Sequence, residues 1–343
     1  MSCRTRIVSA ATVLVAALTG VSAPLVSPAS AVTGVNCPPG LGIGLREKPT
    51  ALAKDPRADH YIIDFVHPGA TFQRKILVCN GNNTRLQVQL YGAGAKIDNG
   101  TFDINNGPGN DAVSQWVTVQ PTSLDLPAGG SSVVEATVSV PTDAPKGEFY
   151  GAVVAAHPGK GGGIAISARA AIRVYLDVGL GGVPPSDFRI DSITAARNND
   201  GTPYVLAQVT NTGKRAIDLS GNLKLTKGPG GLSAGPFPAQ LGTTLAPAQS
   251  EPVTIPLDKA LPAGPWLATL DMKSGLIEHK AQATITFPTG SGAKSAPVKA
   301  KSVPLTKNRD VIVPIAIVLL LALLILLFLI WWRRRKRDDD ERR

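Results

Sequence analysis

The sequence predicts an all-β protein with two tandem immunoglobulin-like β-sandwich domains, a signal peptide before them and one C-terminal transmembrane helix after them. Three observations lead to this prediction. Gly (35) and Pro (28) are frequent among the 343 residues and aromatic residues make up only 5%, which is typical of turn-rich β proteins. A series of strand and turn signals occurs twice. Each end of the chain carries an apolar run.

The internal repeat is the strongest of these observations. Residues 72–80 have the composition of a strand and end at a turn, Asn80-Gly81-Asn82, after which residues 85–91 alternate apolar and polar side chains. Residues 204–211 and the turn Asn211-Thr212-Gly213 repeat that order. Alternation with a period of two indicates a strand with one buried face. Each copy supplies about seven short strands, as in an immunoglobulin-like sandwich of roughly 100 residues.

The boundary between the domains is predicted at Gly181-Gly182-Val183-Pro184-Pro185, where small residues and prolines separate two runs of strand composition. The first domain then covers residues 32–181, and the second covers residues 182–288. Residues 159–163 are interpreted as a hairpin loop, because both flanks have strand composition. A glycine loop that cradles phosphate is the alternative, but no Lys-Ser/Thr pair follows it.

Residues 1–31 are predicted to be a signal peptide. Arg4 and Arg6 precede an apolar run, and Ala29-Ser30-Ala31 has the small-x-small pattern that signal peptidase cleaves. A membrane-spanning helix is the alternative, but the run is short and prolines interrupt it.

A membrane anchor is predicted at the other end. Residues 289–310 offer few side chains to bury, so we expect a flexible basic stalk. Residues 311–332 carry no charge and are long enough to cross a hydrocarbon layer of about 30 Å. A cytoplasmic basic tail follows at residues 333–343. The residues expected at the membrane interface are Trp331, Trp332, Arg333, Arg334, Arg335, Lys336 and Arg337.

This arrangement predicts a location and argues against nucleic acid as a partner. Because basic residues favour the cytoplasmic side of a span, we expect a single-pass protein of the cell membrane. Its body would lie outside the cell and its C-terminus in the cytoplasm. The formal net charge of +10 includes both basic ends of the chain, so it indicates topology and not a DNA-binding surface.

Cysteine usage agrees with export. Once Cys3 is removed with the signal, Cys37 and Cys79 remain, and we expect them to form a disulfide because such bonds persist outside the cytosol. Two separate buried thiols are the alternative.

The sequence offers no recognisable catalytic, metal or cofactor site. The histidines, His60, His67, His157 and His279, lack the spacing of metal ligands, and neither H-E-x-x-H nor G-x-S-x-G occurs. We therefore predict a protein that is not an enzyme and needs no cofactor.

Trp116 and Trp266 are the side chains best suited to stacking against a sugar. Each lies in a predicted short strand with few other large residues nearby, so packing in a core is the better interpretation. The acidic segments 98–103 and 187–191 lack the regular ligand pattern of a calcium loop. The ligand-binding residues are therefore left unassigned.

Several motifs occur in a fixed order across residues 40–178: Tyr61 before an apolar strand, Pro68-Gly69, a strand ending at Asn80, Trp116, and a hairpin over 147–151. In this order they resemble the first domain of WxL-interacting proteins, which are wall-associated proteins of Gram-positive bacteria. The resemblance implies that the first domain binds peptidoglycan and that the second binds a protein partner or host ligand.

The function predicted from sequence is therefore a non-catalytic, membrane-anchored adaptor of the cell surface that attaches to peptidoglycan or to another surface protein. A wall-anchored substrate of a sortase-type transpeptidase, or a structural surface protein, is the alternative. However, Val303-Pro304-Leu305-Thr306-Lys307 lacks the glycine of the sorting motif. A wall-acting hydrolase is a third hypothesis, which would need a catalytic triad or a metal.

Overall fold

The computed structural model describes residues 29–31, 37–158, 168–239, 242–304, 317–318 and 320–326. Within this part the chain is predominantly β, which confirms the predicted class. Its apolar side chains form two large cores, one within residues 41–178 and one within residues 188–300. Each core lies between two sheets, as in an immunoglobulin-like sandwich.

The elements of the first sandwich are β1 (Ala29–Ala31), β2 (Leu41–Leu45), β3 (Glu47–Pro49), β4 (Ile62–Val66), β5 (Thr71–Asn80), β6 (Leu86–Asp98), β7 (Thr101–Ile104), α1 (Ala112–Trp116), β8 (Val117–Gln120), β9 (Ser123–Leu126), β10 (Ser131–Ser139), β11 (Gly147–His157) and β12 (Ala168–Val178), with 3-10 turns at Thr50–Leu52 and Pro56–Asp59. One sheet has the order β2-β5-β10-β8. The other has the order β4-β12-β11-β6-β7, with β9 also paired to β6. β4 and β12 run parallel, whereas β11 and β12 form the predicted antiparallel hairpin.

Alternate residues of the strands supply the first core. In β5, Phe72, Ile76 and Val78 are buried, and Gln73 and Lys75 between them are exposed. The side chains of this strand therefore alternate with a period of two between the core and solvent.

Trp116 lies in α1 and not in the predicted strand. The side chain of Asp111 caps this helix by accepting the N–H of Ser114 at 3.3 Å. The helix packs on β6 and β11, where Gly94 and Gly151 make room: a Cβ on Gly94 would lie 1.6 Å from Asp111 Oδ1. Trp116 is 7% exposed in the first core, so the packing interpretation holds.

The elements of the second sandwich are β13 (Phe188–Arg197), β14 (Pro203–Asn211), β15 (Ile217–Asp218), β16 (Ser220–Thr226), β17 (Ala234–Pro238), β18 (Thr244–Leu245), β19 (Ser250–Pro256), β20 (Gly264–Ser274), β21 (Ile277–Phe287), β22 (Val298–Lys299) and β23 (Lys301–Val303), with a 3-10 turn at Pro229–Gly231. One sheet has the order β19-β14-β13-β22 and the other has the order β17-β16-β20-β21-β23. Trp266 is 1% exposed in the core between them.

The internal repeat is visible as one hydrogen-bonded corner that both domains share. Asn80 and Asn211 each end a strand and are almost completely buried. In both, Nδ2 donates to the carbonyl four residues later, at 2.7 Å for Asn80 and 2.8 Å for Asn211, and to carbonyls of a distant loop. In both, Oδ1 accepts the N–H two residues later. The repeated turn signals thus correspond to a repeated structure.

Part of the predicted stalk belongs to the second sandwich. β22 pairs with β13 in one sheet and β23 pairs with β21 in the other, so the chain crosses between the sheets at Ala300. The N–H of Ser295 also donates to Ala195 O at 2.9 Å. Backbone pairing holds these residues, which the low apolar content did not reveal. Of the predicted stalk at 289–310, residues 305–310 lie outside the described residues.

The described residues contain no helix long and apolar enough to cross a membrane. Near the predicted span at 311–332 they comprise only residues 317–318 and 320–326, all helical. The predicted transmembrane helix and the single-pass membrane localisation are corrected accordingly.

Other predictions fall on segments that are not described. The rest of the 311–332 segment, the tail at 333–343 and the interface residues from Trp331 to Arg337 lie outside the described residues. The same holds for the predicted signal peptide at 1–31, except for Ala29–Ala31, which form β1 and pair with β3. The predicted hairpin loop at residues 159–163 also lies outside the described residues.

A disulfide joins Cys37 to Cys79, with the two Cα atoms 6.0 Å apart. It ties the segment before β2 to the end of β5.

Candidate binding cleft at the domain junction

The two sandwiches are in direct contact, and a third apolar cluster lies between them. Ile63, Phe102 and Tyr175 of the first domain pack with Ala216 of the second. The backbone N–H of Thr244 donates to Gly100 O across the junction at 2.8 Å. The junction therefore has its own apolar centre, separate from the two domain cores.

Asp218 of the second domain organises the polar part of this junction. Its Oδ1 atom accepts hydrogen bonds from Arg173 Nη1 at 2.9 Å, from the Tyr175 hydroxyl at 2.9 Å and from Thr244 Oγ1 at 2.8 Å. The Arg173 guanidinium also lies over the ring of Phe102, 4.8 Å from its centre. One carboxylate thus holds two side chains of the first domain to the second.

Arg57 makes a second connection between the domains. Asp55 caps the turn that contains Arg57 and pairs with its guanidinium, with Arg57 Nη2 3.0 Å from Asp55 Oδ2. Arg57 Nη1 then donates to Ala216 O at 3.3 Å. The charge of Arg57 is therefore balanced within the first domain while its side chain reaches the second.

A cavity of about 360 Å³ opens beside these contacts. Both domains and the segment between them contribute to its walls. The lining residues are Pro49, Ala51, Leu52, Arg57, Ile63, Asp64, Phe65, His67, Glu148, Tyr175, Asp177, Gly181, Gly182, Val183, Arg215 and Ala216. Its surface is mainly apolar, with charged groups of both signs.

Glu148 reaches the cavity from β11. Its Oε2 atom accepts the Tyr150 hydroxyl at 2.6 Å and the backbone N–H of Ala216 at 2.7 Å, so one donor comes from each domain. Burial raises the pKa of Glu148 to about 7, against the opposing effect of these hydrogen bonds. Near neutral pH the group can therefore gain or lose a proton.

Asp177 and Arg215 also line the cavity, and neither forms an ion pair within 4.0 Å with another described residue. Asp177 is 8% exposed, and burial raises its pKa to about 6. Burial, followed by repulsion from Arg57, lowers the pKa of Arg215. Arg215 Nε is buried, and no described residue accepts its hydrogen. The cavity therefore contains polar groups whose hydrogen bonds the described part of the chain does not complete.

Asp64 also lines the cavity, but its charge is paired. Arg74 Nη2 donates to both carboxylate oxygens of Asp64, at 2.9 and 2.8 Å. Burial nevertheless raises the pKa of Asp64 to about 6, because the effect of desolvation exceeds the attraction of Arg74.

The histidines do not form a common site. Only His67 lines the cavity, and its Nδ1 bonds to Gly179 O at 2.8 Å. His157 contacts Gln87 O, whereas His279 pairs with Asp187. In the described ranges, no group of three or more His, Cys, Asp or Glu side chains is placed to hold a metal ion.

Sequence reasoning did not identify Glu148, Asp177 or Arg215. One signal was present: Glu148 and Asp177 each interrupt a strand whose other residues are largely apolar. In β11 and β12 they are direct cross-strand partners, so both side chains lie on the same face of the sheet.

These features define a two-sandwich β protein with a partly charged cavity at the domain junction. No family model matches the chain, and no curated protein matches it. Among solved structures, the chain is similar to the YadV chaperone, with 15% identity, 71% of this chain and 99% of that chain covered, and a TM-score of 0.38. It is also similar to the Salmonella enterica SafA pilin in complex with the SafB chaperone, with 13% identity, 78% of this chain and 98% of that chain covered, and a TM-score of 0.37. The E. coli chaperone DraB is similar at 13% identity, with 76% of this chain and 98% of that chain covered, and a TM-score of 0.35. Likeness at this level carries no argument about function.

The comparisons correct the predicted family. The resemblance to WxL-interacting proteins is wrong: no family model matches the chain, and the similar solved structures named above are of chaperones. The roles that depended on it, attachment to peptidoglycan and a place on the surface of a Gram-positive cell, are withdrawn with it. The membrane-anchored adaptor is withdrawn as well, because the described residues contain no spanning helix.

Proposed function

We propose that the protein is a non-catalytic binding module that holds an extended segment of a protein partner in the junction cavity. One observation carries this proposal. Arg215 Nε–H is buried and has no acceptor among the described residues, and the Asp177 carboxylate in the same cavity is influenced by Arg215 but has no hydrogen-bond donor within that part of the chain. A peptide unit carries one donor and one acceptor, so a bound backbone can supply both missing partners.

The walls of the cavity support a peptide ligand. Its volume of about 360 Å³ lies within the usual range for binding pockets, which often form at domain interfaces. Leu52, Ile63 and Phe65 offer an apolar surface for a side chain of the partner. At its mouth Val183 is 58% exposed, and Leu180 of the same connecting segment is 83% exposed. A partner would remove both from water.

The position of β4 supports an extended conformation of the partner. β4 contributes Ile63 and Phe65 to the cavity. Among the described strands it pairs only with β12, at the edge of its sheet. Such an edge can accept an extended segment through backbone hydrogen bonds.

The described lining also favours binding over catalysis. It contains no Ser, Thr or Cys that could act as a nucleophile. The disulfide withholds Cys37 and Cys79 from nucleophilic chemistry.

Selection of random peptides on the purified full-length chain tests the proposal. We expect Val183→Arg to weaken the selected peptides at least about tenfold, because it places a bulky charge at the mouth of the cavity. Val133→Arg is the matched control, since Val133 is 52% exposed on β10, in the other sheet. Fluorescence anisotropy measures both affinities. Equal affinities for the two variants, or no selected peptide at all, would contradict the proposal.

A further inference from the structure

The charges around the cavity are not balanced. Asp55 pairs with Arg57 and Arg74 pairs with Asp64, so these two pairs cancel. The charged groups that remain are Arg215 and the carboxylates of Glu148 and Asp177. When both carboxylates are ionised, the site holds one negative charge in excess.

The two carboxylates are neighbours. Glu148 in β11 and Asp177 in β12 are direct cross-strand partners, which places their side chains next to each other on one face. Like charges in this position repel each other. Within the described residues, neither carboxylate forms an ion pair within 4.0 Å, although the charge of Arg215 lowers the pKa of both.

The free atoms of these groups are available to a ligand. Glu148 Oε2 is occupied by two neutral donors, from Tyr150 and from the Ala216 backbone, whereas Oε1 has no hydrogen bond among the described residues. A buried carboxylate without a counter-ion is costly, and a cation placed beside it removes much of that cost. One cation between the two carboxylates would also neutralise the excess charge.

The apolar walls fit the rest of a long basic side chain. Lysine and arginine bury their methylene groups along apolar surfaces while the charged end reaches a polar partner. Leu52, Ile63 and Val183 provide such a surface in the same cavity as the carboxylates.

We propose that the cavity is specific for a lysine or arginine side chain of the bound segment, which pairs with Glu148 and Asp177. This inference rests on the proposed function and names the residue type that the site recognises. Arg215 carries the same charge as that side chain, but the two carboxylates outnumber it, and a carbonyl of the same segment would accept its unpartnered Nε–H.

Proton linkage gives the proposal a second readout. A bound cation favours the ionised carboxylates, so binding near neutral pH releases protons, and affinity falls as the pH decreases. The other titratable or charged groups around the two carboxylates are Arg57, Arg215, Asp55, Asp64, His67, Tyr150 and Tyr175. Among the groups whose pKa is shifted, Glu148, Asp177 and Asp64 have values of about 6 to 7, and Asp64 is already paired with Arg74.

Residue frequencies in the selected peptides test this specificity. Random peptides are selected on the full-length chain at about pH 8 and about pH 5.5, on either side of the two carboxylate pKa values. We expect lysine and arginine to be enriched at the higher pH and not at the lower. Glu148→Gln and Asp177→Asn should each remove the enrichment. Asp125→Asn, which alters an exposed carboxylate on β9, should retain it.

Titration calorimetry of a selected peptide in two buffers of different ionisation enthalpy then measures proton release. We expect release near pH 6.5 and an affinity at least about tenfold lower at about pH 5.5 than at about pH 8. Enrichment of acidic residues, or binding without proton release, would overturn the specificity while leaving the peptide-binding function intact. Failure to select any peptide that depends on Val183 would overturn both. The comparison of binding at about pH 5.5 and about pH 8 uses the unaltered chain, so it tests the specificity for lysine and arginine even if a variant folds poorly.

Discussion

Glu148 is half-buried at the domain junction, where its Oε2 atom accepts one hydrogen bond from each domain. Burial raises its pKa from an ordinary value of 4.5 to about 7, so the folded state holds the proton more tightly than the unfolded chain does. The protonated carboxyl of Glu148 therefore stabilises the folded state fully below about pH 4.5, and this stabilisation is lost as the pH rises to about 7.

We expect Glu148→Gln to reduce the pH dependence of stability. In the unaltered chain the free energy of unfolding should fall as the pH rises between about 4.5 and 7, whereas the neutral amide removes the part due to residue 148. In the Glu148→Gln variant, a smaller decrease in the free energy of unfolding should persist over this pH range, because burial also raises the pKa of Asp177 and Asp64. Urea denaturation across this range measures the slope. Glu278→Gln, at an exposed site on β21, is the control, and equal slopes for the two variants would refute the role of Glu148.

Asp64 and Arg74 form an ion pair inside the first sandwich, with side chains 5% and 3% exposed. We expect Asp64→Leu alone to lower the free energy of unfolding by about 3–5 kcal/mol, because it leaves the buried Arg74 guanidinium without a counter-ion and without an acceptor for Nη2. The double change Asp64→Leu and Arg74→Met should recover most of this loss, since an apolar pair needs no counter-ion.

An exposed ion pair provides the comparison. Lys96 and Asp98 are 65% and 58% exposed, so Lys96→Met should change the free energy of unfolding by less than about 1 kcal/mol. Urea denaturation of all three variants measures these differences. If Asp64→Leu lowered the free energy of unfolding as little as Lys96→Met does, the buried Arg74 charge would have to be stabilised by other groups.

The strand corners at Asn80 and Asn211 are equivalent parts of the two domains. Each side chain donates to backbone carbonyls and accepts one N–H, and each is almost fully buried. We expect Asn211→Ala to cost about 2–4 kcal/mol, because buried backbone groups lose their partners. Asn211→Asp should cost more, since a carboxylate cannot donate to the carbonyls of Arg215 and Leu245.

Thermal unfolding followed by circular dichroism measures both variants. Asn110→Ala is the matched control, because Asn110 is exposed in the loop before α1. If Asn211→Asp were as stable as the unaltered chain, the donor role of the amide would be wrong.

Two elements show where sequence patterns were insufficient. α1 occupies a segment that was predicted to be a short strand, and it forms because Asp111 caps it and two glycines leave space beneath it. β22 and β23 lie in a segment poor in apolar residues, and their backbone pairing with β13 and β21 keeps them in the body. Periodicity reports side-chain burial, so it does not detect contacts made by the backbone or by close approach.

At the scale of the whole molecule, Asp218 controls how the domains are joined. We expect Asp218→Ala to lower stability by about 2–4 kcal/mol, because Arg173, Tyr175 and Thr244 all lose their acceptor. It should also increase protease cleavage within residues 179–187 between the cores. Asp125→Ala is the control, since it removes only an exposed pair with Arg85. Equal cleavage rates for the two variants would show that the apolar contacts hold the domains without Asp218.

The two-domain plan could be predicted because both domains repeat one local pattern, visible in Asn80 and Asn211. The cavity could not be predicted in the same way. Glu148, Asp177 and Arg215 come from three separate segments, and no motif links them: Glu148 and Asp177 have uncharged neighbours, and Arg215 directly follows Lys214. Their proximity results from strand register and from docking of the second domain, neither of which has a sequence period.

The crossing of the chain from β22 to β23 has a consequence for biosynthesis. All the described strands of the first sandwich have left the ribosome once Val178 has emerged, so that unit can fold while translation continues. The second unit still lacks an edge strand in each of its two sheets until Val303 has emerged. A nascent polypeptide therefore exposes two open sheet edges during this interval, and a stalled or prematurely terminated product would retain them.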